Sequence, residues 1–356
     1  MASPRSARDF GLSFGPQPTG LSNSLTDVPG VRVGHVTRSD GEIQTGCTAI
    51  LPHDGNLYRQ KVPAAVEVIN GFGKSAGLVQ VQELGNIETP ILLTNTFAVG
   101  TGVTALIRRA IAANPDIGRE TATVNPIVCE CNDGWLNDIQ AMSLGEADMA
   151  VAVDAALSPA GIAPVAQGAV GGGAGMSCFG FKGGIGSASR LVALDGVDYT
   201  IGLLVQANFG RAGDLLLPDG RRPKPPRTKD TAQPERGSII IILATDIPLE
   251  PRQLWRVARR CGAGLARLGA FWGHGSGDIA LAFSTADRID HDEPRALIPR
   301  AILNEGRIDP LFRAAAEGTQ EAVLNALCGA AATTGRAGHF RPSLADWLAA
   351  HPRPRS

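Results

Sequence analysis

The chain has 356 residues and a formal net charge of −1. Hydrophobic residues make up 44% and charged residues 19%, a balance that builds a packed core and excludes a disordered chain. The near-zero charge gives no electrostatic case for nucleic acid or an anionic membrane, and no run nears the ~20 apolar residues that span a bilayer.

Residues 1–25 are rich in Pro, Ser and Gly, carry no apolar secretory stretch, and are expected to form an arm. Short β-type runs follow at Val31–Val36, Cys47–Leu51, Ala65–Ile69 and Pro90–Asn95. Gly100-Thr-Gly opens a helix over Val103–Ala113, which stops at Asn114-Pro115. Pro126–Cys131 reads as a strand that ends in the polar loop Asn132–Asp138. Helices are expected over Asp138–Leu144 and near Ala147–Ala156. Residues 168–189 are glycine-rich, and strands follow at Arg190–Leu194 and Tyr199–Ala207. The segment from about 213 to 237 mixes five prolines with charged residues, so it is expected to be an exposed linker. It stops at Ser238–Thr245, a continuous β-branched run that predicts a strand buried on both faces. An apolar stripe from Leu254 to Leu268 predicts a helix from Pro251. Then come the turn Gly273–Asp278, a strand Ile279–Ser284, a helix Glu321–Ala331, and a short helix capped by Ser343.

The six cysteines form no Cys-x-x-Cys pair and no His/Cys cluster of zinc spacing, so no metal is expected and a reduced cytoplasmic protein is the plain reading. The glycine stretch matches neither phosphate-binding pattern, because Phe181 separates Gly180 from Lys182 and no Gly-x-Gly-x-x-Gly joins a strand to a helix. It reads as a tightly packed loop. No Gly-x-Ser-x-Gly elbow supports a triad through His274.

Four places carry possible chemistry. A cut at Gly237-Ser238 would leave Ser238 as an N-terminus held by the sheet, with a hydroxyl nucleophile and an amine of pKa ~7.7–8 on one residue. Glycine before the serine leaves its carbonyl open to attack. On composition alone, though, a Gly-Ser step after a loop is an ordinary strand start. Ser276 and Asp278, between glycines, can hold an ammonium and relay a proton, or simply form a polar turn. Glu130 and its following amides lie at a strand end, where a substrate ammonium can bind, or where an Asx-rich turn caps a helix. Asn208 ends a strand, where its amide can serve an oxyanion hole or a left-handed turn.

Seven ordered segments bring these places together: Thr26–His35, Gly71-Phe-Gly, Glu130–Asp138, Gly180–Arg190, Val205–Gly210, Gly237-Ser-Ile-Ile and Gly275–Asp278. With them the chain resembles the L-aminopeptidase/D-Ala-esterase/amidase family of self-processing serine peptidases, which includes the β-peptidyl aminopeptidases. The resemblance spans roughly residues 20–340. It implies an α+β fold, an αββα sandwich like that of N-terminal-nucleophile hydrolases with different strand connectivity, in a single domain over 26–356. It implies self-cleavage into an α chain, 1–237, and a β chain, 238–356, associated as a tetramer of αβ units without a cofactor. The expected substrates are small peptides and amino-acid amides or esters with L-, D- or β-residues. Carried over residue by residue, Ser238 is the nucleophile, Ser276 and Asp278 support the amine and proton transfers, and Asn208 is the oxyanion donor. Glu130 and Asn132 hold the substrate ammonium, and Trp135 shapes the pocket. Some relatives have Glu at the place of Asp278, and some have Tyr at the place of Asn132. Two other readings stand beside this one. The first is an acyltransferase like ornithine acetyltransferase, whose family cleaves before threonine where this chain has Ser238. The second is an uncleaved binding protein of the same fold.

Overall fold

The β-branched runs pair into two stacked sheets. The protein is described by a computed structural model over residues 6–226 and 237–352. Its longer strands are β1 (Arg32–Asp40), β2 (Ile43–Leu51), β3 (Gln60–Gly71), β4 (Ile91–Asn95), β5 (Ile127–Cys131), β6 (Gly184–Leu194), β7 (Val197–Asn208), β8 (Ser238–Thr245) and β9 (Gly277–Ser284). The smaller sheet runs β1-β2-β4-β5, and the larger runs β3-β9-β8-β7-β6, with Ile289–Asp290 beyond β3. The pairs β4–β5 and β8–β9 are parallel.

Three apolar layers result. Ile240 and Ile242 of β8 meet Ile127 and Cys129 of β5 between the sheets. On the outer face of the smaller sheet, Leu92 and Val128 pack on α2 (Val99–Ala113), which follows the short α1 (Leu78–Leu84), and on α3 (Glu146–Leu157) through Leu106, Met149 and Val153. On the outer face of the larger sheet, Ile239, Ile241 and Leu243 pack on α4 (Pro251–Ala258), α5 (Cys261–Ala266) and α6 (Asp309–Cys328). The order is helix, sheet, sheet, helix. No helix among the described residues is long and apolar enough to cross a membrane.

Of the expected arm, residues 6–24 form a 3-10 turn at Ala7–Phe10 and irregular chain beyond it, and Ala7, Leu12 and Phe14 enter the main core. The arm is tied down by polar contacts as well. Arg8 donates through Nε to Glu321 at 2.5 Å, Asn23 donates to the same carboxylate at 2.7 Å, and buried Arg190 donates to its other oxygen at 2.7 Å. Of the expected 213–237 linker, residues 227–236 lie outside the described residues. Its first half is not exposed throughout. Leu215 and Leu217 are buried, and the Leu216 N–H donates to Leu268 O at 3.0 Å.

Several local expectations change. Asp138–Leu144 is no helix, only a 3-10 turn at Ile139–Ala141. The Asn137 side chain there bonds Gln44 and Asp133, and such side-chain bonds compete with helix formation. The 251–268 stripe breaks at Arg259–Arg260 into α4 and α5, just ahead of Cys261-Gly-Ala-Gly264, whose glycines lower helix propensity. Glycines 184 and 186 lie inside β6 rather than in a loop. A Cβ on Gly186 would come within 2.0 Å of Ala322 O, so the glycine lets α6 sit directly on the sheet.

His35 on β1 bonds Thr48 Oγ1 through Nδ1 at 2.9 Å, and burial pulls its pKa from 6.5 to about 4. The unfolded chain therefore binds the extra proton first. This contribution to stability is full above pH 6.5 and is lost as pH falls toward 4. The melting temperature should drop over that window, and His35→Gln should flatten the drop by a few degrees in a pH series of thermal melts.

Candidate active site

Ser238 heads β8, the central strand, whose eight residues are all buried. On one side β8 runs antiparallel to β7, so Ser238 lies directly opposite Asn208. Opposed residues on such a ladder share a face, with Cβ atoms about 4.5–5.5 Å apart. On the other side β8 runs parallel to β9, so Ser238 lies beside Gly277. Ser238 thereby lies between Asn208 and the Ser276–Asp278 turn.

The residue before the nucleophile has no room for a side chain. A Cβ on Gly237 would lie 2.2 Å from Asn208 O and 2.4 Å from Phe209 Cα, both backbone atoms. Its carbonyl oxygen accepts the Gly277 N–H at 3.3 Å. The bond that precedes Ser238 thus has a backbone donor aimed at its oxygen before any reaction.

Ser276 and Asp278 are fully buried, and Ser276 Oγ donates to Asp278 Oδ1 at 2.8 Å. Asn70, at the end of β3, donates through Nδ2 to the carbonyls of Ser276 and, at 3.1 Å, Gly273, which fixes this turn against the sheet. Asn208 is buried with both ends of its amide engaged. Oδ1 accepts the Ser177 N–H at 2.8 Å, and Nδ2 donates to Asn132 O at 2.9 Å. An amide NH2 carries two protons, so one remains for an oxyanion.

Glu130, near the end of β5, is buried. It accepts the Lys74 N–H at 2.9 Å on Oε1 and the Thr96 hydroxyl on Oε2. Gly73 joins it to the serine: a Cβ there would be 3.8 Å from Glu130 Oε1 and 3.9 Å from Gly277 Cα. The Asn132 side chain is exposed and turns back to accept the Gly134 N–H, and its carbonyl takes the Asn208 amide. Trp135 is directed elsewhere. Its ring stacks on His339 at 3.8 Å, with Arg341 4.6 Å above the ring, so it fastens the 132–138 loop to the hairpin Thr333–Arg341. Asp133, in the same loop, is buried. Burial pushes its carboxyl up to about 6 against hydrogen bonds from Thr45 and Asn137.

Ser238, Gly237, Asn208, Ser276 and Asp278 thus gather at one end of the larger sheet. Glu130 and the Asn132 backbone reach them from the smaller sheet, and Trp135 stands behind. Residue types alone point to no role for the Gly277 N–H, Asn70 or Thr96. A backbone donor leaves no residue-type signal. Asn70 directly precedes the Gly71-Phe-Gly segment, which marks the position without revealing its use.

Two sheets between helical layers are the architecture of the N-terminal-nucleophile hydrolases. Comparison with known proteins agrees. The model of Peptidase family S58 matches residues 23–341, and the chain belongs to that family. The β-peptidyl aminopeptidase BapA of Sphingosinicella microcystinivorans is 38% identical over 358 residues, covering 94% of this chain and 88% of that one. A β-aminopeptidase structure from Burkholderia sp. superimposes with a TM-score of 0.86 at 36% identity, covering 99% of this chain and all of that one. The L-aminopeptidase D-Ala-esterase/amidase of Ochrobactrum anthropi, described as a prototype serine aminopeptidase and a variant of the Ntn hydrolase fold, has a TM-score of 0.88 at 35% identity. That match covers 98% of this chain and 97% of the other. The protein is a hydrolase of this serine aminopeptidase type, with a variant Ntn hydrolase fold.

Proposed function

We propose that this chain cleaves itself between Gly237 and Ser238 and then releases single N-terminal residues from small peptides, amides and esters through an acyl-enzyme on Ser238. The observation that carries the reading is the Gly237–Ser238 junction: a glycine with no space for a Cβ, a backbone donor on its carbonyl, and the serine fixed at a strand head.

In self-cleavage Ser238 Oγ attacks the Gly237 carbonyl carbon, and the charge on the oxygen meets the Gly277 N–H. The C–N bond breaks, and the nitrogen takes the hydroxyl proton through the Ser276–Asp278 pair. Water then hydrolyses the ester to a Gly237 carboxylate and a free Ser238 amine. In turnover that amine, with a pKa near 7.7–8, accepts the Ser238 proton as general base. Ser238 attacks the carbonyl of the substrate's first residue, and Asn208 stabilises the oxyanion. The leaving amine departs with the proton, and water frees the amino acid. Glu130, its carboxylate already oriented by Lys74 N–H and Thr96, holds the substrate ammonium, and Asn132 lines the same pocket. Trp135 shapes the pocket from behind by holding the 132–138 loop. BapA and the Ochrobactrum enzyme carry names of β-, L- and D-residue substrates, and these three classes are the range proposed here. The mature form is a tetramer of αβ units. It works in the cytoplasm, a placement supported by the buried thiols Cys47, Cys129, Cys131, Cys261 and Cys328.

A denaturing gel with N-terminal sequencing tests the central step. The 37.0 kDa chain should give fragments of about 24 and 12 kDa, the smaller beginning Ser-Ile-Ile-Ile. An active preparation in one piece, or another start, overturns the reading. Turnover of L-, D- and β-amino-acyl p-nitroanilides then ranks the substrate classes, and sedimentation measures the assembly.

Gly237→Ala separates maturation from catalysis. Forcing a methyl against the Asn208 and Phe209 backbone costs about 1–3 kcal/mol, so cleavage in a time course should slow by about 10- to 100-fold. Turnover per cleaved molecule should stay within about two-fold of wild type, because residue 237 is then only the end of the α chain.

A further inference from the structure

Lys182 is a charged side chain that the proposed mechanism leaves unused. It lies in the short strand Phe181–Lys182, paired with Ser177–Cys178, and has no solvent exposure. Its Nζ donates to three backbone carbonyls: Gly173 at 3.0 Å, Met176 at 3.0 Å and Gly183 at 2.8 Å. The three protons of an ammonium are thereby matched. Burying such a cation is costly, and burial pulls its pKa down to about 7, with the charge of Asp133 opposing the shift. A neutral side chain would fill the space at less cost, so cohesion alone does not account for the lysine.

What the three carbonyls flank gives the account. Met176 immediately precedes Ser177, and Ser177 pairs with Lys182 across the hairpin. The Ser177 N–H is the donor that holds Asn208 Oδ1 at 2.8 Å. That bond fixes which end of the Asn208 amide faces which way. A flipped amide would set its NH2 against the Ser177 N–H, donor against donor, and would present an oxygen to the developing oxyanion. We propose that Lys182 is a positioning residue for the reaction: by gripping the carbonyls of Gly173, Met176 and Gly183 it fixes the Ser177 N–H that orients the Asn208 amide. This rests on Asn208 as the oxyanion donor in the reading above.

Lys182→Met keeps the length and removes the donors. Measured per cleaved molecule on alanine p-nitroanilide, it should lower kcat by about 10- to 100-fold, the scale of a misplaced reacting group, with KM changed by less than about two-fold. Inhibition by 1-aminoethylboronic acid, which forms a tetrahedral adduct with an oxygen at the oxyanion position, should weaken by a similar factor. Lys182→Gln, which keeps a donor, should fall between. An unchanged kcat, a rise in KM alone, or a fall in kcat with boronate inhibition unchanged overturns the proposal. If neither variant folds to a cooperative melt, Lys182 serves the fold and not the amide, and the proposal is likewise overturned. Asn208→Ala in parallel separates the two readings. If it keeps wild-type kcat, the assignment of Asn208 fails. If it loses maturation or kcat while Lys182→Met loses neither, only the role of Lys182 fails.

Discussion

Ser238→Ala should leave a single 37.0 kDa band and lower kcat by about 10⁶-fold, the cost of deleting the nucleophile from a serine hydrolase. Both losses come from one oxygen. In the proposed reaction the same Oγ opens the Gly237–Ser238 bond and later carries the acyl group, and the residues opposite Ser238 in the strand register, Asn208 on one side and Gly277 on the other, offer no second nucleophile. Stability should change little, since one hydroxyl at the edge of a large core is removed. A melting temperature within a few degrees of wild type would show that chemistry and not folding was lost. Ser238→Cys, which keeps a nucleophile, should still split at the same bond. A Ser238→Ala sample that yields the Ser-free equivalent of the 12 kDa fragment, or that still releases p-nitroaniline, assigns the nucleophile to another residue.

Asn208→Ala should lower kcat by about 10²–10³-fold, the usual effect of losing one oxyanion donor. The loss should fall on kcat more than on KM, because in the proposed reaction the amide meets charge that develops only as the acyl oxygen becomes an anion. Asn208→Asp is the sharper comparison. It keeps an acceptor for the Ser177 N–H but replaces the Nδ2 donor with an oxygen facing Asn132 O, so it should do at least as much harm as alanine. Self-cleavage is expected to suffer less than turnover in both variants, since the Gly277 N–H already serves the Gly237 carbonyl.

The sequence was most legible where one property ran unbroken. Ser238–Thr245 is apolar and β-branched throughout, and β8 occupies the residues that the run marks, buried on both faces. Helix α6 was far less legible, although it is the longest. Glu317, Gln320, Glu321 and Asn325 are buried in it, so its apolar stripe is interrupted by polar residues. Their partners lie far away in sequence: Arg190 and Arg8 for Glu321, Ser187 O and the Ala7 N–H for Asn325. The segment 184–189 misled for a related reason, since Gly186 answers to a helix more than 130 residues downstream and Gly184 to the Gly168 backbone. In the site, residue types marked the side chains: a Gly-Ser step, a Ser-Gly-Asp turn, a carboxylate at a strand end. They were silent on the backbone donor at Gly277 and on the direction of Trp135, because each depends on a strand or hairpin brought in by the tertiary fold.

The order of strands in the larger sheet has a consequence for the proposed cut at Gly237–Ser238. β8 and β9 come from the segment after residue 237, while their neighbours β3 on one flank and β7 and β6 on the other come from the segment before it. The two products are interleaved like the fingers of clasped hands. Neither can depart without breaking ladders on both sides and baring the layer beneath α6. Mixing separately made halves should therefore restore the enzyme only by refolding them together, and diluting the matured enzyme should not release a subunit.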